Sequence, residues 1–516
     1  MTTTTAKQII GKLPRLAPLA AALLVVLPAQ AQWRVTPSLS ITETLTDNAN
    51  RGSSQRNARL ITEVNPGISA YGQNRYLQLN ANAEASLFGY LGGGRGSARR
   101  NRLQYDASGR LKVIDEFMYV DATARSSTQA ISAFGLLGQE ARYNNENVAD
   151  VSSWSISPNI HQRFGNFANV SLRYTLNGVD ADRSRFGSST AHGPQFDLTS
   201  GRSWKNLGWN LRYAKQDVDN KQFADTSSEN ALFSTHYALS RTFRLTASVG
   251  YDRFDFDSLG GDTAGRSWSA GFAWRPTART RLEMSGGRHF LGNTGSLLAS
   301  HRTRHGFTSL SYSDTVTTTR SEFSLPQALD TASMLDALFA ATIPDPFVRR
   351  QAVDAYLYNT GLPGSLAQEV NYLTNRYFRQ KLARAATVYN WRTHSTVVSL
   401  YASERIALSS SEADSGLLGS QLFALNNNVR QVGFDANHSY RLNSKTSATA
   451  GLTLSRSRSL STGIERDNQT LSMGVRQIFS RQLQGVVELR HSRGTRGFES
   501  THYYANSLSA TLSAQF

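Results

Sequence analysis

Five arginines and two glutamates lie in short segments whose alternate residues are apolar. They are Arg173, Arg212, Arg281, Arg476 and Arg490, with Glu283 and Glu488. Side chains alternate between the two faces of a β-strand, so in each segment the charged residue faces away from its apolar neighbours. If the apolar face meets lipid, these seven residues line a polar interior, where a ring of arginines would favour anionic solutes. An equally open alternative is that arginine and glutamate on neighbouring strands pair and brace the wall.

Other patterns that could carry chemistry are incomplete. The glycine-rich run 92–96 follows a strand pattern but opens no helix, so it lacks the context of a phosphate-binding loop. The ten histidines show no metal-ligand spacing. Asp255, Asp257 and Asp262 could hold calcium in a loop, but the ligand order of an EF-hand is absent. The sequence therefore predicts no cofactor and no metal.

A serine hydrolase is the enzyme alternative. Ser492 and His491 are adjacent, but neighbours on a strand face opposite sides, so they cannot form a nucleophile–base pair. No other serine and histidine are selected by their spacing. We predict no catalytic residues and no enzymatic activity.

Alternation of polar and apolar residues dominates the whole chain. It is clearest in 507–516, where the apolar face carries Leu508, Ala510, Leu512, Ala514 and Phe516, and it recurs back to Trp33. Segments of about ten alternating residues separated by turn residues are typical of outer-membrane barrels. The sequence predicts an all-β fold, a transmembrane antiparallel β-barrel of about 20–22 strands with a short helical insert.

Residues 1–31 resemble a secretory signal peptide. Lys7, Lys12 and Arg15 precede the apolar run 16–27, and Ala29-Gln30-Ala31 supplies a small-x-small cleavage site. We expect export through the Sec pathway, cleavage after Ala31, and one barrel domain over 32–516 in the outer membrane of a Gram-negative cell. The terminal Phe516 is the residue expected to be read by the outer-membrane assembly machinery.

The predicted links alternate in length. Long polar links fall at 47–58, 90–101, 127–151, 178–194, 218–228, 256–265 and 293–301, with short turns between them. Long outer loops and short periplasmic turns are the usual arrangement. From Pro326 to about residue 369 the period becomes helical, because Leu335, Leu338 and Phe339 form one stripe, and a second helix is expected from Asp345-Pro346 to Gly361. Strand counting back from Phe516 places this insert on the outer side of the membrane, and counting forward gives the same side only if 316–325 is an extra strand.

The cysteine content and net charge of the chain limit the kinds of partner it can bind. The chain has no cysteine, so it has no disulfides, and its net charge is +17, mostly from scattered arginines. No recognisable nucleic-acid module accompanies this charge. Three uses of the arginines remain: lumen lining, contact with lipopolysaccharide phosphates, and solvation of loops.

Several stretches resemble the outer-membrane proteins associated with the PEP-CTERM/exosortase system. The most specific is 274–280 followed by 287–294, Trp-Arg-Pro-Thr-Ala-Arg-Thr and Gly-Arg-His-Phe-Leu-Gly-Asn-Thr. Similar matches occur at 33–48, 65–68, 157–174, 345–349 and 504–516, so the resemblance covers nearly all of 32–516. It departs at Asn159, where an aromatic residue is expected. The resemblance implies a context in exopolysaccharide biosynthesis but supplies no catalytic residues.

From these observations we predict that the protein is a porin-like barrel associated with exopolysaccharide export or assembly. The alternatives are a structural, partner-docking barrel of a secretion complex that uses the insert, and an outer-membrane lipid or glycan hydrolase. The expected partners are outer-membrane lipid and lipopolysaccharide, the assembly machinery, and polysaccharide and exopolysaccharide export proteins.

Overall fold

The computed structural model describes residues 32–49, 51, 56–92, 101–135, 143, 147–181, 188–221, 224–324, 331–340, 342–343, 349, 352–353, 356–357, 360, 362, 376–409, 425–496 and 501–516. The predicted signal peptide lies outside these residues. The first half of the barrel comprises β1 (Gln32–Thr46), β2 (Arg59–Gln73), β3 (Leu77–Leu91), β4 (Arg102–Ile114), β5 (Met118–Ala130), β6 (Val148–Phe164), β7 (Ala168–Ala181), β8 (Ser188–Ser200), β9 (Leu207–Asn220), β10 (Thr226–Ala238) and β11 (Phe243–Asp255).

The second half contains two helices between its strands. It comprises β12 (Ala264–Thr277), β13 (Thr280–His289), β14 (Gly292–Arg302), β15 (Gly306–Thr318), α1 (Thr319–Ser324), α2 (Thr331–Phe339), β16 (Tyr377–Asn390), β17 (His394–Ala407), β18 (Asn428–Arg441), β19 (Thr446–Ser459), β20 (Glu465–Ile478), β21 (Leu483–Arg496) and β22 (Thr501–Gln515). None of the helices in the described part of the chain is long and apolar enough to span a membrane.

The sheet is closed. Each strand pairs antiparallel with its neighbours in sequence, and β1 pairs with β22 from Ser38 opposite Gln515 to Thr46 opposite Ser507. The backbone N–H of Phe516 extends this seam by donating to the carbonyl of Pro37 (2.9 Å). Closure leaves no open sheet edge, which lipid would not tolerate. The predicted transmembrane β-barrel of 20–22 strands is confirmed.

Two local predictions about strands were wrong. Residues 293–301, predicted as a long link, form most of β14, which follows β13 through a tight turn. The range 316–325 was predicted as an extra strand, but its described residues, 316–324, are the end of β15 and helix α1. The two errors cancel in the strand count. Both arose where glycine, serine and threonine are frequent and the apolar alternation is weak.

The two ends of the barrel differ in the length of their links. The start of β1 at Gln32 and the end of β22 at Gln515 lie at one end, together with short turns such as 303–305 and 391–393. The other end carries the longer links 131–147, 256–263 and 408–427, and also the chain between β15 and β16. We call these the periplasmic end and the outer end, following the usual arrangement of such barrels.

Along each strand, alternate side chains face outward and inward as the sequence pattern predicted. Large apolar side chains such as Val249, Leu400 and Leu489 are 51–60% exposed on the outer wall. The residues between them on the same strands, such as Ser248, Ser399 and Glu488, face the lumen. An apolar outer wall and a polar inner wall place the barrel in a membrane.

The chain between β15 and β16, residues 319–376, is here called the lumen segment. It leaves and rejoins the barrel at the outer end, but its described residues pack inside. Met334 and Leu335 of α2 are fully buried against Val388 and Val397, inward-facing residues beside the periplasmic turn 391–393. Strand counting assigned the insert to the outer side of the membrane, and the segment does join the barrel at the outer end. Strand parity fixes where a segment is attached, whereas its apolar face decides where it packs.

The first predicted helix of the insert is present as α2, which contains Leu335, Leu338 and Phe339. For the second, Ala352, Val353, Tyr356, Leu357 and Thr360 are helical. The predicted helix boundaries, Asp345-Pro346 and Gly361, lie outside the described residues.

In four cross-strand pairs an aromatic ring lies directly over the glycine opposite it. The cross-strand pairs are Trp33–Gly72, Trp154–Gly178, His236–Gly208 and Tyr401–Gly433. In each pair a Cβ added to the glycine would lie 2.1–2.4 Å from a ring atom. The rings therefore occupy the space above the glycines, an arrangement that fixes strand register.

The Tyr401–Gly433 pair provides a test of this packing. Replacing Gly433 by valine should lower the free energy of unfolding by about 1–3 kcal/mol, because the buried Tyr401 ring must move. Denaturant titration in detergent micelles, followed by intrinsic fluorescence, measures the change. Gly286→Val is the control, because no atom lies within 4 Å of the added Cβ there. Equal loss in both variants would contradict the account.

Candidate functional site

The lumen segment is held at the periplasmic end by apolar contact and by hydrogen bonds. Beyond the contacts of Met334 and Leu335, the Tyr356 hydroxyl lies 2.5 Å from Ser395 Oγ on β17. Ser439 Oγ of β18 donates to the Thr360 carbonyl (2.7 Å). Burial raises the pKa of Tyr356, so its phenol is neutral at physiological pH and can donate. The segment is therefore fixed to the inner wall of β16–β18.

An ion pair within the segment strengthens this arrangement. Arg349 Nε donates to Asp336 Oδ1 of α2 (2.7 Å), and its Nη1 donates to the Ile343 carbonyl (2.9 Å). The Arg349 side chain is only 14% exposed. Charged hydrogen bonds in a partly buried place are stronger than surface pairs. The contact ties α2 to the chain that follows it.

At the outer end, α1 contacts strands that are distant in the barrel order. Arg320 Nε donates to Ser189 Oγ (2.8 Å) and its Nη2 to the Asn177 carbonyl (3.2 Å). Burial lowers the pKa of Arg320 to about 10, which leaves the guanidinium charged at neutral pH. A charged side chain from the lumen segment thus connects β15 to β7 and β8.

The outer links also meet one another. The Leu259 N–H donates to the Leu408 carbonyl (3.0 Å), joining the β11–β12 link to the β17–β18 link. Asn426 Oδ1 accepts hydrogen bonds from Ser132 Oγ (3.1 Å) and the Ala133 N–H (3.2 Å), which joins the β5–β6 link to the same place. The β5–β6 and β17–β18 links start from nearly opposite sides of the 22-stranded barrel, so the outer mouth is bridged.

The inner wall has a covered and an accessible side. On β17 and β18 the inward side chains of Ser403, Arg405 and Gln431 are at most 2% exposed. In contrast, the inward Arg110 of β4, Arg212 of β9 and Arg281 of β13 are 57%, 51% and 46% exposed. The lumen is therefore filled asymmetrically, and strands from β4 to β13 line its accessible side.

All seven residues predicted to line the lumen lie on the inward face, and most form ion pairs. Arg212 pairs with Asp197 on β8 (2.6 Å) and Arg173 pairs with Asp121 on β5 (3.1 Å). The remaining pairs, both within one strand, are Arg281–Glu283 (2.7 Å) and Arg490–Glu488 (2.5 Å). Arg476 is half-buried on β20. Only Arg212–Asp197 joins neighbouring strands, and Arg173–Asp121 reaches past β6. Both arginine–glutamate pairs lie within single strands, so they do not join neighbouring strands as the bracing alternative expected.

Further arginines of the inner wall were missed in the sequence. Arg110 shares Asp121 with Arg173 (2.6 Å), and Arg275 shares Glu283 with Arg281 (3.4 Å). Each carboxylate therefore serves two guanidiniums, which leaves positive charge on the accessible side. Strand parity could have placed Arg110 and Asp121 on the inner face, because apolar residues such as Leu111 and Val120 are their neighbours in sequence.

The accessible side opens at the periplasmic end into a cavity of about 970 Å³. His161, Arg163, Asn169, Asp197 and Arg202 are among its lining residues. Polar and charged groups of both signs dominate this lining. The cavity suits a hydrated polar solute or chain better than an apolar one.

The residues that were considered for a catalytic pair or a metal site do not lie together. His491 faces outward and bonds to Asn506 (2.8 Å), whereas Ser492 faces inward and is 1% exposed. Within the described ranges, no three histidine, aspartate or glutamate side chains are grouped closely enough to hold a metal ion. The polar groups that could act on a solute are thus those of the inner wall.

No protein-family model matches the chain, and no curated protein matches it. Among solved structures, the ferric-catecholate import receptor Fiu from E. coli K12 is 9% identical, with 93% of this chain and 81% of that chain covered and a TM-score of 0.47. The siderophore receptor PirA from Acinetobacter baumannii is also 9% identical, with 94% and 80% covered and a TM-score of 0.47. The FrpB iron transporter from Neisseria meningitidis is 11% identical, with 93% and 82% covered and a TM-score of 0.37. At these scores the likenesses carry no argument about what this outer-membrane barrel binds.

Proposed function

We propose that the protein is a gated outer-membrane channel whose lumen segment is the plug, and that it passes an anionic polymer during exopolysaccharide export. The observation that carries the proposal is the packing of Met334 and Leu335 against Val388 and Val397 deep inside the barrel. Barrels with 22 strands enclose a lumen wide enough to need a plug. A segment attached only at the outer end but anchored at the periplasmic end can block this lumen.

The strength of the anchor suits a gate. Burying a large aliphatic side chain stabilises its packed state by about 2–5 kcal/mol relative to alanine. Met334 and Leu335, with the hydrogen bonds of Tyr356 and Thr360, therefore hold the plug firmly at rest. A binding partner or substrate could still supply energy of this size.

The accessible inner wall supports an anionic substrate. Its guanidiniums outnumber their carboxylate partners at Asp121 and Glu283, and Arg212 and Arg281 reach the open side of the lumen. Arginine-lined pores favour anions. The exopolysaccharide context rests on the resemblance of the sequence to the PEP-CTERM/exosortase-associated family.

The alternative of a docking barrel assigns the insert to a partner outside the lumen. The inward packing of α2 favours a plug over that role. The two functions also differ in their response to deletion of the insert. A plug must change conductance when removed, whereas a docking segment would leave it unchanged.

Release of the plug is the first test. Leu335→Asp places a charge in an apolar contact, so the segment should leave its site and the conductance of single molecules in planar bilayers should rise severalfold above wild type. Thr342→Asp adds the same charge at an exposed position of the same segment and should behave as wild type. Wild-type conductance in Leu335→Asp would refute the plug.

Charge selectivity is the second test, made in the Leu335→Asp background. Arg212→Gln leaves Asp197 without its partner, so the reversal potential in a KCl gradient should move toward cation preference. Asp197→Asn should move it toward anions. The double variant should return close to the parent value, because the pair is removed as a unit. Identical reversal potentials in all four proteins would contradict a solute path along this wall.

The polymer itself is tested in cells. Loss of the protein should abolish surface polysaccharide while leaving its synthesis inside the cell intact, as measured by carbohydrate assay of the two fractions. Unchanged surface polysaccharide would reject the export role without affecting the gated channel.

A further inference from the structure

The outer wall carries a second arrangement of arginines, at the outer end of β11–β13 and outside the lumen. Arg253, Arg266 and Arg288 lie on these three neighbouring strands and face outward, in the same parity as the exposed Val249, Trp268 and Met284. All three arginines are exposed. We propose that they form a binding site for the phosphate groups of an outer-leaflet glycolipid, lipopolysaccharide.

Strand register brings the three guanidiniums together. Tyr251 lies opposite Arg266, and Trp268 lies opposite Arg288. Arg253 and Arg288 are therefore each diagonal neighbours of Arg266, at a separation of about 7–8 Å that long side chains easily bridge. Each of the last two arginines also has an exposed aromatic ring directly across the strand.

Several other outward arginines at this end are paired with carboxylates. Arg379 pairs with Asp314 (2.6 Å), Arg430 with Glu404 (2.5 Å) and Arg456 with Asp467 (2.6 Å). In contrast, none of the three arginines on β11–β13 forms an ion pair with a described carboxylate. Their positive charge is available to a ligand.

The nearest acidic groups lie beside Arg253, at the edge of the cluster. Glu229 lies opposite Arg253 in the register, but its Oε1 accepts the Tyr213 hydroxyl (2.9 Å). Asp255 is the outward residue two positions beyond Arg253 and pairs in register with Ser227. Neither lies on β12 or β13. Arg266 and Arg288 thus remain the centre of the positive surface.

The position of the site selects a lipid phosphate. Trp268 and Tyr251 are 56% and 45% exposed, and Trp and Tyr rings in this setting mark the membrane–water interface. Val249 and Met284 continue the apolar surface toward the periplasmic end. Acyl chains can therefore lie on the apolar wall while the head group meets the guanidiniums, which bind phosphate in bidentate fashion. The end that carries the long links faces the outer leaflet.

Binding to the detergent-purified full-length protein tests the proposal. Native mass spectrometry would follow retention of lipopolysaccharide, of its dephosphorylated form and of phosphatidylglycerol. We expect wild type to retain the phosphorylated glycolipid, and Arg266→Gln/Arg288→Gln to bind it at least about tenfold more weakly. The dephosphorylated glycolipid and phosphatidylglycerol should bind wild type as weakly as the variant binds lipopolysaccharide.

The matched control is Arg430→Gln/Arg456→Gln, which removes two outward arginines that already have carboxylate partners. It should bind as wild type does. Heat-dependent migration of each variant on gels reports that the barrel is folded. Equal retention by wild type and Arg266→Gln/Arg288→Gln would overturn the site, and equal retention of phosphatidylglycerol would overturn its assignment to the glycolipid.

Discussion

Closure of the sheet is the constraint on which the rest of this structure depends. In hydrocarbon every backbone N–H and C=O must be paired within the protein, and the seam between β1 and β22 completes that pairing. Once the sheet is closed, parity alone decides whether a side chain meets lipid or the lumen. Charged residues at one parity then form the inner wall, and those at the other parity form the outer rim.

Because the sheet is closed, the lumen segment decides how much of the barrel interior stays open. A wide barrel does not fill itself with its own side chains. Met334 and Leu335 bury their apolar surface against the inner wall, and they do so far from the points where their segment joins the barrel. The outer links meet above the lumen, so the resting molecule is restricted at both ends while one side of its wall stays accessible.

The alternation of polar and apolar residues was sufficient to predict the fold class, the approximate number of strands and which face of the strand carries residues such as Arg212. It assigned the helical insert to the outer side, but it could not predict that the insert packs in the lumen, because parity carries no information about long-range packing. The apolar stripe through Leu335 predicted a helix but not its partner, since Val388 and Val397 belong to ordinary strand patterns. Ion-pair partners such as Asp197 needed the register, which weakly patterned strands such as β14 do not reveal.

Accessibility of the lumen segment tests the central claim most directly. The chain has no cysteine, so Leu335→Cys and Thr342→Cys each introduce a single thiol. In the folded protein, a membrane-impermeant maleimide should label the buried position 335 at least about tenfold more slowly than the exposed position 342. Equal labelling rates would show that α2 does not pack inside the barrel, and the plug would have to be abandoned.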